Sequence, residues 1–160
     1  MFKPSGSWVA IPTPFDKNNR VDFGAFAEIV NFHVAHKTSM LFCMGSAGEV
    51  SMLSLEERRA IVPEMVKICK GRIPVFFGST LSTTEGTVEF AKYCESAGAD
   101  GLVFTAPYYL LPSQSACREF FLTAMQSVRL PVGVYNNPSR TGVMLDPETI
   151  GLLHKECPNF

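Results

Sequence analysis

The chain has 160 residues, 46% of them hydrophobic and 18% charged, with 14 Lys and Arg against 15 Asp and Glu. That length fits one ordinary domain with its own core, and so much apolar surface can be buried that intrinsic disorder is excluded. A net charge of −1 without a basic run argues against nucleic acid and anionic membranes as partners.

In chain order, the first apolar run is Trp8-Val9-Ala10-Ile11, and Asp22 then opens a helix whose Phe23, Phe26, Ile29 and Val30 fall at helical spacing. The second run is Met40-Leu41-Phe42-Cys43. Ser54 with Glu57 matches a capping box, in which two side chains satisfy free backbone N–H groups, and starts a helix that Gly71 should stop. After Pro74-Val75-Phe76-Phe77, the pair Ser82 and Glu85 repeats the capping-box pattern, with Gly98 at the far end of that helix. Gly101-Leu102-Val103-Phe104 is followed by a helix from Ser113 or Ser115 to about residue 128. The fifth run is Pro131-Val132-Gly133-Val134-Tyr135. Asp146-Pro147-Glu148 opens the last helix, with proline where its missing N–H costs nothing.

Each run is too short for a helix and apolar at consecutive positions, as parallel strands covered on both faces are. Their centres, Val9, Leu41, Val75, Val103 and Val132, lie 32, 34, 28 and 29 residues apart, so a βα unit repeats at a nearly constant period. No linker marks an internal domain boundary. A five-stranded doubly wound sheet would be complete at this length, whereas a (β/α)8 barrel needs about 250 residues. On pattern alone the complete fold accounts better for the length.

The five cysteines lack the spacing of a zinc or redox site and are expected as buried, reduced thiols; His33, His36 and His154 fall on helical segments and receive no chemistry. No metal or cofactor is expected. The longest uncharged stretch, Gly101 to Cys117, is broken by Pro107 and Pro112, and the start of the chain, Met1 to Phe15, carries a lysine and prolines unlike a signal peptide. The expected location is the cytoplasm.

In either fold, chemistry belongs at the carboxyl ends of the strands. Pro12-Thr13-Pro14-Phe15 follows the first strand, Gly45-Ser46-Ala47-Gly48-Glu49 the second, and Ala106-Pro107-Tyr108-Tyr109 the fourth; Tyr135-Asn136-Asn137-Pro138-Ser139-Arg140-Thr141-Gly142 runs on from the fifth. The glycines around Ser46 and Ala47 let successive N–H groups face a small anion, or simply make a turn. Tyr135 emerges at the mouth, where its hydroxyl can exchange a proton with one such as that of Ser46. Tyr108 and Tyr109 read equally well as rim packing. Arg140 can hold a carboxylate in a fork, or stand as a solvated loop cation.

Taken in order, Gly45-Ser46-x-Gly48-Glu49, Pro107-Tyr108-Tyr109 with Pro112-Ser113-Gln114, and Tyr135-Asn136-x-Pro138 with Ser139-Arg140-Thr141-Gly142 resemble the dihydrodipicolinate synthase and N-acetylneuraminate lyase family of pyruvate-dependent class I aldolases. The resemblance covers the whole chain. It implies an α/β fold of the (β/α)8 TIM barrel type, here truncated after about five βα units, so that residues 1–160 form the N-terminal part of a single barrel domain. It further implies a homo-oligomer, dimer or tetramer, acting on pyruvate and an aldehyde or 2-oxo acid substrate without a cofactor.

Carried over by the resemblance, Tyr135 is the tyrosine that moves protons around the imine, Ser46 the relay hydroxyl, and Tyr109 the second relay tyrosine, which in synthases reaches in from a neighbouring subunit. The backbone of Ser46 and Ala47 would hold the pyruvate carboxylate, and Arg140 the carboxylate of the aldehyde. Synthases usually carry two threonines where this chain has Ser46 and Ala47, a departure toward the lyase branch, whereas Arg140 favours the synthase branch; Leu110 and Leu111 make the rim after the tyrosine pair more apolar. The family's Schiff-base lysine belongs on the sixth strand. None of Lys3, Lys17, Lys37, Lys67, Lys70, Lys92 and Lys155 lies on a predicted strand, so the 160 residues alone are expected to be inactive. The competing expectations are a non-catalytic half-barrel that binds keto acids or a partner, and a flavodoxin-like domain with strand order 2-1-3-4-5.

Overall fold

A computed structural model describes residues 3–160. Strands β1 (Trp8–Ala10), β2 (Met40–Cys43), β3 (Val75–Gly78), β4 (Gly101–Thr105) and β5 (Val132–Tyr135) alternate with helices α1 (Phe23–Ala35), α2 (Leu55–Cys69), α3 (Thr84–Ser96) and α4 (Gln114–Gln126), and β5 is followed by a single-turn α5 (Pro138–Thr141) and by α6 (Pro147–Glu156). All four neighbouring pairs are parallel and the order is β1-β2-β3-β4-β5. A doubly wound sheet reverses direction at its first strand and gives 2-1-3-4-5. The sequential order is that of a barrel wall, and it removes the flavodoxin-like alternative.

The caps explain where the helices begin. Asp22 accepts from the Ala25 N–H at 3.0 Å, and Ser54 and Glu57 form both arms of the expected capping box. One expectation moves by a residue: α3 is capped by Thr83, whose hydroxyl accepts from the Gly86 N–H at 3.0 Å, not by Ser82 with Glu85. Asp146 precedes α6 as expected, yet its carboxylate makes no cap, and Gln114 from α4 accepts instead from the Asp146 N–H and the Thr149 hydroxyl. Helix α2 leaves through Lys70 in the left-handed region, one residue before Gly71. Pro63 inside α2 has no N–H to offer the Arg59 carbonyl, and the Tyr93 hydroxyl of α3 donates to that oxygen at 2.8 Å.

Because side chains alternate along a strand, the sheet has two unlike faces. Leu41, Cys43, Val75, Phe77, Leu102 and Phe104 point under the helices and join Phe26, Ile61, Met65, Phe90 and Phe121 in one core. Each fully buried residue of this size contributes roughly 1.5–3 kcal/mol. All five cysteines lie buried with free thiols, as expected. On the other face Trp8 of β1 leans on Phe76 of β3 at 5.5 Å between ring centroids. Gly101 makes room for the Phe76 ring, which would stand 2.1 Å from an added Cβ.

At the carboxyl end the strands are drawn close together. A Cβ on Gly78 would stand 2.0 Å from the Met44 carbonyl oxygen, so only glycine lets β3 pass that close to the end of β2. Met44 itself is fully buried with φ at 56°, a left-handed conformation that costs a non-glycine residue on the order of 1 kcal/mol or more. That kink turns the chain from β2 into the loop carrying Ser46. Among the described residues, no helix is long and apolar enough to cross a membrane.

Candidate active site

The loop after β2 is held from inside and from behind. Gly45 accepts from the N–H groups of Gly48 and Val50, and Ser46 accepts from that of Glu49. Thr13, buried in the proline-flanked turn after β1, donates its hydroxyl to the Gly48 carbonyl at 2.7 Å. The N–H groups of Ser46 and Ala47 carry no hydrogen bond among the described residues. Two adjacent free N–H groups suit an anion such as a carboxylate.

Ser46 and Tyr135 meet across the sheet mouth, with Ser46 Oγ 3.4 Å from the Tyr135 hydroxyl. The Asn137 amide donates to the same phenol oxygen at 2.7 Å, and Ser139 in turn donates to Asn137 Oδ1 at 2.6 Å. Hydrogen bonding with Ser46 and from the Asn137 amide, helped by the nearby Arg140 charge and opposed by burial, holds the Tyr135 phenol below its usual range. A phenol so placed gives up and regains a proton more readily than a free tyrosine.

These groups line a cavity of about 280 Å³ whose wall includes Ser46, Tyr135, Arg140, Tyr108 and Arg58. Ser46, Tyr135 and Arg140 are thus brought together as the sequence suggests. Ala47 is exposed beside the cavity but is not part of its lining. Tyr109 does not enter it either: it is 90% exposed, with φ at 79°.

Three contributors escaped the sequence. Arg58, on α2, is only 7% exposed; it donates to the carbonyls of Val50 at 2.6 Å, Leu53 at 3.2 Å and Thr80 at 3.4 Å, and so ties the loops after β2 and β3 together. Burial pulls its pKa down from the usual value, yet a guanidinium keeps its proton at neutral pH. Ser79 lines the cavity with a buried hydroxyl that has no partner among the described residues, a place for a small polar ligand or water. Asn137 is the third. Its only signal in the sequence is an amide two residues after a strand-end tyrosine, a separation that β periodicity would put on the same face.

The arrangement offers two communicating hydroxyls and two cationic groups in one cavity with an anion cradle at its edge, which suits proton transfer on a small carboxylated substrate. No lysine lines the cavity, and no cluster of potential metal ligands occurs among the described residues. A model of the dihydrodipicolinate synthetase family matches residues 3–160. The chain belongs to this family. Among its relatives, the 4-hydroxy-tetrahydrodipicolinate synthase of Alkaliphilus oremlandii is 39% identical over 155 residues, 97% of this chain and 52% of that protein. The synthase of Methanocaldococcus jannaschii is 38% identical over 160 residues, 100% of this chain and 54% of that one. Among solved structures of dihydrodipicolinate synthetase type, the 4-hydroxy-tetrahydrodipicolinate synthase from Methylacidiphilum fumariolicum SolV superposes with a TM-score of 0.95 at 30% identity, over 99% of this chain and 52% of that one. YagE, a prophage protein of E. coli K12 solved in complex with pyruvate, gives 0.93 at 32% identity over 97% and 52%. The chain spans about half the length of the relatives it matches.

Proposed function

We propose that these residues form the first five βα units of a single barrel domain and the substrate-holding part of a Schiff-base, pyruvate-dependent aldolase of the 4-hydroxy-tetrahydrodipicolinate synthase type, joining pyruvate to aspartate semialdehyde. The observation that carries the reading is the 3.4 Å approach of Ser46 Oγ to the Tyr135 hydroxyl in a cavity that Arg140 also lines. In the reaction, the imine of pyruvate loses a methyl proton to become an enamine, whose carbon bonds to the aldehyde carbon while the aldehyde oxygen takes up a proton. Tyr135 exchanges these protons and Ser46 passes them on. The N–H groups of Ser46 and Ala47 hold the pyruvate carboxylate, and Arg140 holds that of the aldehyde. The imine-forming amine comes from residues beyond these 160, so the chain alone does not react with pyruvate.

Tyr109 belongs in this reading to a second copy of the chain. Its exposure and its absence from the chain's own cavity support a dimer or tetramer in which it reaches the neighbouring cavity, and the exposed Leu110 and Leu111 beside it supply apolar contact. The Ser46-Ala47 pair, without the two threonines usual in synthases, favours the second reading, cleavage of N-acetylneuraminate or of a sugar-derived 2-oxo acid.

The test joins these 160 residues to the remaining residues of the Alkaliphilus oremlandii synthase. Borohydride should trap a pyruvyl adduct, read by mass spectrometry, on the joined protein and not on the 160-residue chain, and the joined protein should consume aspartate semialdehyde. Arg140→Ala should raise the KM for aspartate semialdehyde by about tenfold or more, the worth of a charge-assisted hydrogen bond, and that for pyruvate much less. An adduct on the 160-residue chain, or equal loss for both substrates, overturns these assignments. Turnover of N-acetylneuraminate instead selects the second reading.

A further inference from the structure

Asn137 stands at the N-cap of α5, a position where asparagine ordinarily turns its side-chain oxygen to a backbone N–H of the first turn. Here it makes no such bond. Its backbone carbonyl accepts from the N–H groups of Arg140 and Thr141, both at 3.0 Å, and from the Thr141 hydroxyl at 3.1 Å. Its side chain is left free to face the other way. There Nδ2 donates to the Tyr135 phenol oxygen at 2.7 Å, shorter than the 3.4 Å contact that Ser46 makes with the same oxygen. Ser139 donates to Oδ1 at 2.6 Å, and in this arrangement the amide presents its NH2 end to Tyr135.

We propose that Asn137, oriented by Ser139, is a positioning residue that sets the acidity and proton direction of Tyr135 while its backbone carbonyl anchors the turn presenting Arg140. The inference rests on the reading of Tyr135 as the proton-transferring group. An amide N–H can only donate, so it occupies a lone pair of the phenol oxygen and stabilises the phenolate over the phenol. The phenol's own proton is directed away from Asn137, and Ser46 Oγ is the acceptor within reach. The relay therefore has a starting polarity, with Tyr135 as donor and Ser46 as acceptor, before any substrate enters. The same residue joins the two halves of the site: its side chain sets the proton-transfer group, and its main chain sets the turn that carries the carboxylate-binding cation.

The experiment reads the phenol directly and requires no turnover. Tyrosinate absorbance is followed against pH for the 160-residue chain and for Tyr135→Phe, and the difference isolates Tyr135 from Tyr93, Tyr108 and Tyr109. Asn137→Leu, nearly the same shape without a donor, should move the Tyr135 transition upward by about one pH unit. Ser139→Ala, which leaves the amide in place but unoriented, should move it in the same direction by less. Asn137→Asp, which puts a negative charge against the phenolate, should move it furthest upward. A Tyr135 transition that stays in place or falls in Asn137→Leu overturns the proposal, because an amide accepting the phenol proton would favour the neutral phenol instead. Should Asn137→Leu fail to give the cooperative thermal melt of the parent chain, Ser139→Ala decides alone, since Ser139 is exposed and its hydroxyl bonds only the Asn137 amide among the described residues. A chain that shows these shifts but no role in pyruvate chemistry when completed would retain the positioning and lose the function proposed above.

Discussion

The loops after β2 and β4 open on the same end of the sheet and are built in opposite ways. Residues 45 to 50 turn on their own hydrogen bonds and are gripped from behind by Thr13 and Arg58. Residues 107 to 111 engage no hydrogen bond among the described residues; instead Tyr109 and Leu111 stand at positive φ, and Tyr109 and Leu110 are 90% and 83% exposed. The first loop spends its polar groups on holding one geometry around Ser46. The second leaves Tyr109 and Leu110 almost wholly in water, while Leu111 rests against Gly142 and Tyr108 joins the cavity wall. On the reading proposed above, fixing a carboxylate and a proton relay calls for the first kind of loop, and contact with a second copy of the chain for the second.

The contrast breaks most severely at Arg58. Replacing it with Met leaves the carbonyls of Val50, Leu53 and Thr80 without their donor and frees the β2 loop, and should cost about 3 kcal/mol in denaturant unfolding. Arg58→Lys should recover only part, since one ammonium cannot span three carbonyls as a guanidinium does.

A smaller effect tests the helix that continues the rigid loop. Ser54→Ala removes the N-cap of α2 and should cost about 1 kcal/mol near neutral pH. The capping bonds from Ser54 hold the Glu57 carboxyl below its usual value, so this group stabilises the fold above the ordinary glutamate pKa. As pH falls through the lowered value, Glu57 is protonated and its contribution is lost. The gap between Ser54→Ala and the parent chain should therefore narrow in acid, as paired urea titrations near pH 7 and pH 3 would report.

The smallest effect belongs to the β4 loop. Leu110→Ser should change the unfolding free energy by less than about 0.5 kcal/mol, because the side chain is already in water. On the proposed assembly, self-association in sedimentation should weaken in the same variant. A large loss of stability instead would mean that this loop, too, is held by its own chain.

The sheet was legible in the sequence because consecutive apolar residues at a period near thirty leave few alternatives, and Asp22 and Ser54 name their helices by capping chemistry that acts within four residues; of Ser113 and Ser115, left open by the sequence, Ser113 caps α4. Local rules also explain the shift at α3: Ser82 and Thr83 are both competent caps, and only the path of the chain out of β3 chooses Thr83. Ser46, Tyr135 and Arg140 could be found because each stands at the end of a strand or in a motif. Arg58 could not, since within α2 it reads as one more charge on a solvated face until the loops after β2 and β3 fold over it. Asn137 was hidden for a related reason. Its residue type announces a cap, and only the tertiary approach of Tyr135 and Ser139 diverts its side chain elsewhere.

The buried cysteines give the fold a property unconnected with catalysis. Cys43 lies on β2, Cys69 ends α2, Cys94 is on α3, Cys117 on α4 and Cys157 just past α6, so the thiols are spread along the chain, each embedded in the packing of a different element. Burial pushes Cys69 up to about 11 and Cys94 up to about 12, and raises Cys43, Cys117 and Cys157 as well. A thiolate reagent at neutral pH meets almost none of them in the closed molecule. Their order of alkylation during a slow pulse would thus be a map of which parts of the wall breathe first, written by the native chain without any added label site.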